Sequence, residues 1–301
     1  MAATASAADA GRRLRRRDRA STAALLSGPL LWLLLFFLAP VVYVALYSVG
    51  GIKIFPTDAG VWSVGDWKHL LVGGSVYMGL FWKSVRISLT VSAIVVLLAY
   101  PVGYFLALVV RKRKYILLLL IIAPFLTSYL LRVLAWEVIL GDSGVINSFL
   151  SWIHLRGADQ PVTWLLNSQF SVVLVLAYVW VPFVALPIFV SLDNLDTSLL
   201  EAASDLGASR LRTFWRITLP LSIPGVIAAC VVVFVPTIGE FVTPLLVGGP
   251  SGYMYGNAIQ DVFTRGTDWQ TGSVLAMFLL VVVAGLMALF GRYVRVRSVA
   301  A

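Results

Sequence analysis

Cysteine and histidine are scarce in this sequence, and their scarcity excludes several kinds of reactive site. Cys230 is the single cysteine among 301 residues, so one chain can form neither an internal disulfide nor a metal site built from cysteines. The two histidines, His69 and His154, fall in polar connecting segments without a second ligand nearby. The G-x-x-x-x-G-K-[ST] phosphate loop is also missing, so the chain cannot hydrolyse ATP alone. We therefore expect a non-catalytic protein without a metal or cofactor of its own.

Charged residues are few as well. They occupy 12% of the positions, whereas hydrophobic residues occupy 60%, and the mean hydropathy is +0.92. A soluble domain averages about half apolar and about a quarter charged. This excess of apolar residues cannot be buried in one aqueous core, so lipid must solvate much of the surface. The composition excludes a soluble helical protein and predicts an integral membrane protein.

The net charge of +9 would by itself suggest a nucleic-acid partner, but the distribution of the charge argues against one. Lys and Arg cluster beside long apolar runs, and the positive-inside rule assigns such clusters to the cytoplasmic ends of membrane spans. The clusters are Arg12, Arg13, Arg15, Arg16, Arg17 and Arg19; Arg111, Lys112, Arg113 and Lys114; Arg210, Arg212 and Arg216; and Arg292, Arg295 and Arg297. We expect a lipid bilayer rather than nucleic acid as the partner, with both termini in the cytoplasm.

Six apolar runs are long enough to cross a bilayer at about 1.5 Å of helix per residue. The predicted spans are Gly28–Val49, Ser84–Val110, Tyr115–Leu140, Phe170–Leu192, Leu221–Val247 and Thr271–Tyr293. The predicted fold is all-α, a polytopic membrane protein with six transmembrane helices. A basic cytoplasmic tail (1–27) would precede the transmembrane domain (28–293), and a short cytoplasmic tail (294–301) would follow it. Prolines within several spans predict kinks.

Between the third and fourth spans, the segment Gly144–Leu155 has apolar residues at helical spacing. This pattern predicts a short amphipathic helix on the outer surface of the membrane.

The longest cytoplasmic loop, 193–219, joins the fourth and fifth spans. Ser198-Leu-Leu-Glu201 has the pattern of a capping box, which predicts the start of a helix. Ala202, Ala203 and Leu206 continue the helix, and Gly207 is placed to end it in a left-handed conformation. A second helix would then run to Pro220. The pattern predicts a short helix with a small-residue face, lying along the membrane.

This loop resembles the EAA loop of permease subunits in type I ABC importers, because Glu201-Ala-Ala, Gly207 and Ile217-x-Leu-Pro220 all occur at the expected spacing. The resemblance extends from Gly28 to Tyr293 and implies a MetI-like transmembrane fold in the inner membrane of a bacterium. Three stretches are most similar to the polyamine branch, the PotB/PotH-like permeases for spermidine and putrescine: Ser128–Trp136, Leu200–Ala208, and Val235–Pro244 with Gly248–Pro250. The residues that would couple to an ATPase are Glu201, Ala202, Ala203, Leu206 and Gly207.

The resemblance also implies partners. A second permease subunit would pair with this chain, two ATP-binding subunits holding ATP and magnesium would dock on the cytoplasmic side, and an extracytoplasmic binding protein would deliver the substrate.

Ionisable residues within spans are costly and indicate function by default. Glu240 lies between Pro236 and Pro244, which would break the helix and leave carbonyl acceptors suited to an ammonium group. Alternatively, Glu240 pairs with a cation such as Arg132 and only fixes helix packing. Aromatic rings could bind an amine through cation–π attraction, or could simply pack in the core. The aromatic candidates for the substrate pathway are Tyr129, Trp136, Tyr178 and Phe241.

Two other functions are compatible with an apolar helical chain. The first is a type I ABC permease for another small solute. The second is a stand-alone secondary transporter, which predicts internal repeats. The sequence has no convincing repeat, and the EAA-like loop favours the importer.

Overall fold

A computed structural model describes residues 25–52, 62–72, 75–110, 112–154, 161–265 and 268–299, with side chains to Arg292 in the last range. The predicted N-terminal tail lies outside the described residues except for 25–27. The chain divides into two units, Met1–Trp67 and Lys68–Ala301, and each is described by itself. All regular secondary structure in the described ranges is helical.

The first unit contains α1 (Leu25–Ser48), and α2 (Gly65–Leu71) begins at its end. The remaining helices are α3 (Val76–Val109), α4 (Lys114–Leu126), α5 (Tyr129–Leu140), α6 (Val145–Trp152), α7 (Gln169–Asp193), α8 (Thr197–Asp205), α9 (Arg210–Ile238), α10 (242–252), α11 (Tyr255–Thr264) and α12 (Trp269–Val299). Helix α12 therefore continues into the predicted C-terminal tail.

Six helical segments in the described residues are long and apolar enough to cross a membrane, which confirms the predicted number. They are Leu25–Ser48, Val76–Val109, Tyr129–Trp152, Gln169–Asp193, Arg210–Ile238 and Trp269–Arg292. Two of the predicted spans are wrong as single helices, because each contains a helix break that hydropathy does not reveal.

The first break interrupts the predicted span Tyr115–Leu140 between α4 and α5. Thr127 donates both its hydroxyl, at 2.6 Å, and its amide, at 3.3 Å, to the Pro124 carbonyl, so both lone pairs of this oxygen are used before the amide of Ser128 could bond to it. Thr127 and Ser128 then adopt extended backbone angles. The apolar run is thus two helices, because a local hydroxyl competes with the helical hydrogen bond.

The second break interrupts the predicted span Leu221–Val247, because α9 ends at Ile238. At its other end α9 begins at Arg210 and continues through Pro220, where the sequence predicted a boundary. A π-helical turn, Phe214–Thr218, precedes this proline. Pro220 has no amide hydrogen for the carbonyl of Arg216, and the wider turn accommodates that loss without ending the helix.

Helix α7 is central in the second unit and packs against α3 and α9. Half of the residues in an apolar 18-residue stretch of α7 are buried, whereas only 11% are buried in the corresponding stretch of α12. Helix α12 therefore leaves most of its surface to lipid or to another protein. A Cβ added to Gly225 would lie 2.3 Å from Cβ of Ser191. The glycine therefore allows α7 and α9 to cross closely.

The short helix predicted between the third and fourth spans is present as α6, which forms the end of the apolar segment Tyr129–Trp152. Val145, Phe149 and Trp152 are exposed along it, whereas Asn147 is buried. Asn147 donates Nδ2 to the Gly141 carbonyl at 3.0 Å, and its Oδ1 accepts the amide of Val162 at 2.7 Å. The Asn147 side chain thus connects the residues before α6 with those after it. The position of α6 on the outer surface of the membrane stays a prediction.

We expect Asn147→Ala to destabilise this connection by about 1–3 kcal/mol, since the buried amide of Val162 would lose its acceptor. The measurement is the thermal midpoint of the purified chain in detergent. Ser148→Ala changes an exposed neighbour on the same helix and serves as the control. Equal midpoints for the two variants would contradict the role of Asn147.

Candidate functional site

Helix α8, in the loop predicted to be cytoplasmic, begins two residues earlier than its sequence pattern predicts. Asp196 is the N-cap, and its carboxylate accepts the amide of Ser198 at 2.9 Å. Hydrogen bonds from Ser198 hold the pKa of Asp196 below its ordinary value. The predicted capping box from Ser198 to Glu201 is therefore wrong, because an ionised carboxylate upstream takes the orphan amide first.

Helix α8 ends as predicted, at a left-handed glycine. Gly207 has φ of +73°, and its amide donates to the carbonyl of Ser204 at 2.9 Å. The amide of Ala208 donates to the carbonyl of Ala203 at 2.9 Å, which completes a Schellman motif. Nothing lies within 4 Å of a Cβ added to Gly207, so backbone conformation rather than space within this chain favours glycine.

The predicted coupling residues divide into two groups by exposure. Ala203 is buried, whereas Glu201, Ala202, Leu206 and Gly207 are exposed. Leu206 is the most exposed of the large apolar side chains in this loop, at 88%. The loop thus presents a small apolar surface that this unit leaves uncovered.

Both ends of the loop that contains α8 are attached to the transmembrane helices. Before α8, Lys114 forms an ion pair with Asp193, the last residue of α7. After α8, the ring of Phe214 makes edge contacts with Tyr100 and Tyr104 of α3, with centroids 5.8 and 5.9 Å apart. A displacement of α8 would therefore reach α3, α4 and α7 directly. The sequence does not reveal these contacts, because the distribution of charge only places Lys114 in a cluster of positive residues.

Within the transmembrane region, Glu240 lies at the break between α9 and α10. Its Oε1 accepts the amides of Val242 at 2.9 Å and Thr243 at 3.2 Å, so the carboxylate caps the start of α10. A negative charge is favourable at this end of a helix. The side chain is half-buried. Glu240 therefore has a structural role as the cap of α10, and its Oε1 atom is used for this role.

Helix α11 holds the broken segment in place from the other side. Asn257 donates Nδ2 to the Phe241 carbonyl at 2.8 Å. A Cβ on Gly256 would lie 2.5 Å from the carbonyl oxygen of Gly239 and 2.6 Å from that of Glu240. This close approach requires glycine. Hydropathy does not single out Gly256 or Asn257, although polar residues beside an apolar run are a usable signal.

The two helix breaks meet at one hydrogen bond. Tyr129, the first residue of α5, shares a hydrogen bond with Thr243 at the start of α10. The Tyr129 phenol also lies close enough to Glu240 and Arg132 to interact electrostatically with both. The predicted ion pair between Arg132 and Glu240 is not formed in the described part of the chain.

The remaining aromatic candidates do not all join this cluster. Trp136 lies two turns beyond Tyr129 on α5, about 10 Å along the axis, and meets Tyr178 edge to face with centroids 5.4 Å apart. Phe241 is 40% exposed, and its carbonyl is held by Asn257. The structure thus brings Tyr129 together with Glu240 and Trp136 together with Tyr178, as two separate pairs.

The glycines after the second break dock α10 on the start of α7. Cβ atoms added to Gly248 and Gly252 would lie 2.9 and 2.8 Å from Cγ2 of Val172. Ser171 donates its hydroxyl to the carbonyl of Val247. Gly249 has φ of +52°, a conformation that side chains rarely adopt. This part of the sequence pattern therefore serves packing.

Comparisons with known proteins agree with this architecture. Residues 1–299 match the family described as binding-protein-dependent transport system inner membrane component. The spermidine/putrescine transport system permease protein PotB of Escherichia coli (strain K12) is 34% identical over 262 residues, which are 86% of this chain and 92% of that protein.

Two solved structures share the fold. A bacterial ABC transporter involved in the import of the acidic polysaccharide alginate contains a chain with a TM-score of 0.67 and 20% identity, covering 93% of this chain and 96% of that one. The alginate ABC transporter in complex with an alginate pentasaccharide-bound periplasmic protein has a chain with a TM-score of 0.64 and 19% identity, covering 91% and 93%.

Proposed function

This chain belongs to the family of binding-protein-dependent transport system inner membrane components, and from that membership we propose that it is the transmembrane permease subunit of an ABC importer for polyamines. The observation that carries the choice of cargo is the similarity to a spermidine/putrescine permease along 86% of the chain. The apolar spans make the chain a multi-pass membrane protein. Its positive clusters support cytoplasmic N- and C-termini in a bacterial inner membrane.

The importer needs partners for energy and for substrate delivery. A second permease subunit would complete the transmembrane pathway, and two ATP-binding subunits would bind and hydrolyse ATP with magnesium. An extracytoplasmic binding protein would deliver the polyamine. The periplasmic protein bound to the alginate transporter supports this last partner by analogy of fold. This chain would perform no chemical reaction itself.

Energy would enter through α8. The exposed surface formed by Glu201, Ala202 and Leu206 is suited to a groove on an ATP-binding subunit, since small residues permit a close approach. The Schellman turn at Gly207 fixes the angle between α8 and α9. Movement of α8 would then be transmitted through the Lys114–Asp193 ion pair and the contacts of Phe214, and the spans would alternate between inward-open and outward-open states.

The substrate pathway would pass the two helix breaks. Glu240 supplies the carboxylate that an ammonium group requires, and it lies at the start of α10. Tyr129 is held beside it, while the Trp136–Tyr178 pair offers aromatic faces about two turns away. Discontinuous helices line substrate sites in other transporters for the same reason, because they free backbone groups within the membrane.

The function is tested by ATP hydrolysis in the complete complex, reconstituted in lipid with its binding protein. We expect putrescine or spermidine to stimulate hydrolysis severalfold over the basal rate. A neutral sugar and an anionic solute of similar size serve as controls and should leave the rate unchanged. Equal stimulation by a control solute would contradict the polyamine assignment, and failure to isolate any ATP-binding subunit with the chain would contradict the importer itself.

A further inference from the structure

Arg132 is a cation within a transmembrane helix, and it forms no ion pair among the described residues. Its guanidinium lies over the ring of Phe125, with Cζ 4.5 Å from the centroid. The Nε atom is buried and has no hydrogen-bond partner. A guanidinium donates only in its own plane, so stacking on a ring satisfies the charge in part but none of the N–H groups.

The described acidic residues do not neutralise the charge of Arg132. Among the described residues, ion pairs within 4.0 Å are formed by Lys114 with Asp193 and by Arg265 with Asp261. Glu240 forms neither of these pairs and uses Oε1 for two backbone amides. Ionisable residues in spans pair with one another or with backbone carbonyls, so the acceptor of Arg132 must come from outside the described residues.

The substrate is a poor source of that acceptor. A polyamine carries the same sign of charge as Arg132 and would be repelled.

The surroundings of Arg132 form a surface suited to a protein partner. Phe125 packs against Phe183 of α7, with ring centroids 3.9 Å apart, and Phe183 remains 41% exposed. The ring centroid of Trp180 lies 5.6 Å from that of Phe183, and the indole Nε1 of Trp180 is buried without a hydrogen-bond partner among the described residues. Arginine and aromatic side chains are enriched at the centre of protein interfaces. We define this Arg132 surface as Phe125, Arg132, Trp180 and Phe183.

We propose that the Arg132 surface packs against the second permease subunit, and that a carboxylate of that subunit binds the Arg132 guanidinium within the membrane. The proposal rests on the proposed function, which supplies the second subunit. A carboxylate matches the planar donors of arginine with two parallel hydrogen bonds. It also neutralises the charge without drawing on Glu240, which leaves Glu240 free to act on the substrate.

The test uses the full complex, with this chain tagged and the second permease quantified after purification. We expect Arg132→Met to reduce the recovered second permease at least tenfold, and Arg132→Lys to retain an intermediate amount, because lysine keeps the charge but not the planar fork. Arg265→Met removes an exposed cation that is paired within this chain and should change nothing. Wild-type recovery with Arg132→Met would overturn the proposal.

A second measurement covers the case in which Arg132→Met does not fold, which size-exclusion chromatography of the chain alone will reveal. A photoreactive benzoylphenylalanine at Phe183 leaves Arg132 intact and should cross-link to the second permease. The same probe at Leu289, an exposed position on α12, is the control. An assembled complex without a cross-link from position 183 would overturn this proposal alone. Absence of any second permease from the wild-type complex would overturn the proposed function with it.

Discussion

Replacing Glu240 with glutamine should leave the chain folded but reduce polyamine uptake at least tenfold, whereas replacement with alanine should also destabilise the fold. The glutamine oxygen can accept the same amides of Val242 and Thr243 that Oε1 accepts now, so α10 keeps its cap. It carries no charge for an ammonium group. A tenfold loss corresponds to about 1.4 kcal/mol of interaction. Alanine removes both the charge and the cap, and each lost charge-assisted hydrogen bond costs about 1.5–3 kcal/mol.

The two effects are separated by measuring labelled putrescine uptake and the thermal midpoint on the same preparations. Thr243→Val serves as the matched control, because it removes the hydrogen bond to Tyr129 next to the site without changing the charge. Wild-type uptake by Glu240→Gln would remove Glu240 from the substrate pathway and leave it a purely structural cap. A midpoint for Glu240→Ala equal to that of the wild type would contradict the capping role.

Replacing Gly207 with valine should uncouple ATP hydrolysis from uptake, so that ATP is consumed while transport falls to near background. The position requires φ of +73°, which a β-branched residue rarely adopts. The Schellman turn would open, and α8 would lose its fixed angle to α9. The apolar spans are untouched, so insertion into the membrane should be normal.

Asparagine and alanine at Gly207 distinguish conformation from bulk. Asparagine tolerates the left-handed conformation better than alanine does, although it is the larger residue. If backbone conformation governs coupling, uptake per ATP should fall in the order glycine, asparagine, alanine, valine. Alanine performing better than asparagine would show instead that the docked ATP-binding subunit has no room for a side chain at this position.

The sequence predicts the parts of this fold that depend on long-range averages. Hydropathy finds six spans because each contains many apolar residues, and single substitutions hardly change the sum. The left-handed turn at Gly207 is also predictable, since few residue types other than glycine end a helix in this way. Both features depend on residue type alone, without knowledge of what lies nearby.

The features that the sequence does not predict depend on single contacts. The break after Pro124 requires the Thr127 hydroxyl to take a carbonyl, and the end of α9 at Ile238 depends on where Glu240 caps the next helix. Asp196 and Ser198 are both good caps, so only the structure decides between them. The same limit applies to the candidate site, where Tyr129 and Glu240 meet although 111 positions separate them in the sequence.

The most direct test of the account is ATP-dependent accumulation of labelled putrescine in proteoliposomes that contain the complete complex, with the binding protein on the outer side. The account predicts accumulation against a gradient that requires both ATP and the binding protein and is lost with Gly207→Val. Accumulation without ATP, or by this chain reconstituted alone, would contradict it and would indicate a transporter that needs no ATPase.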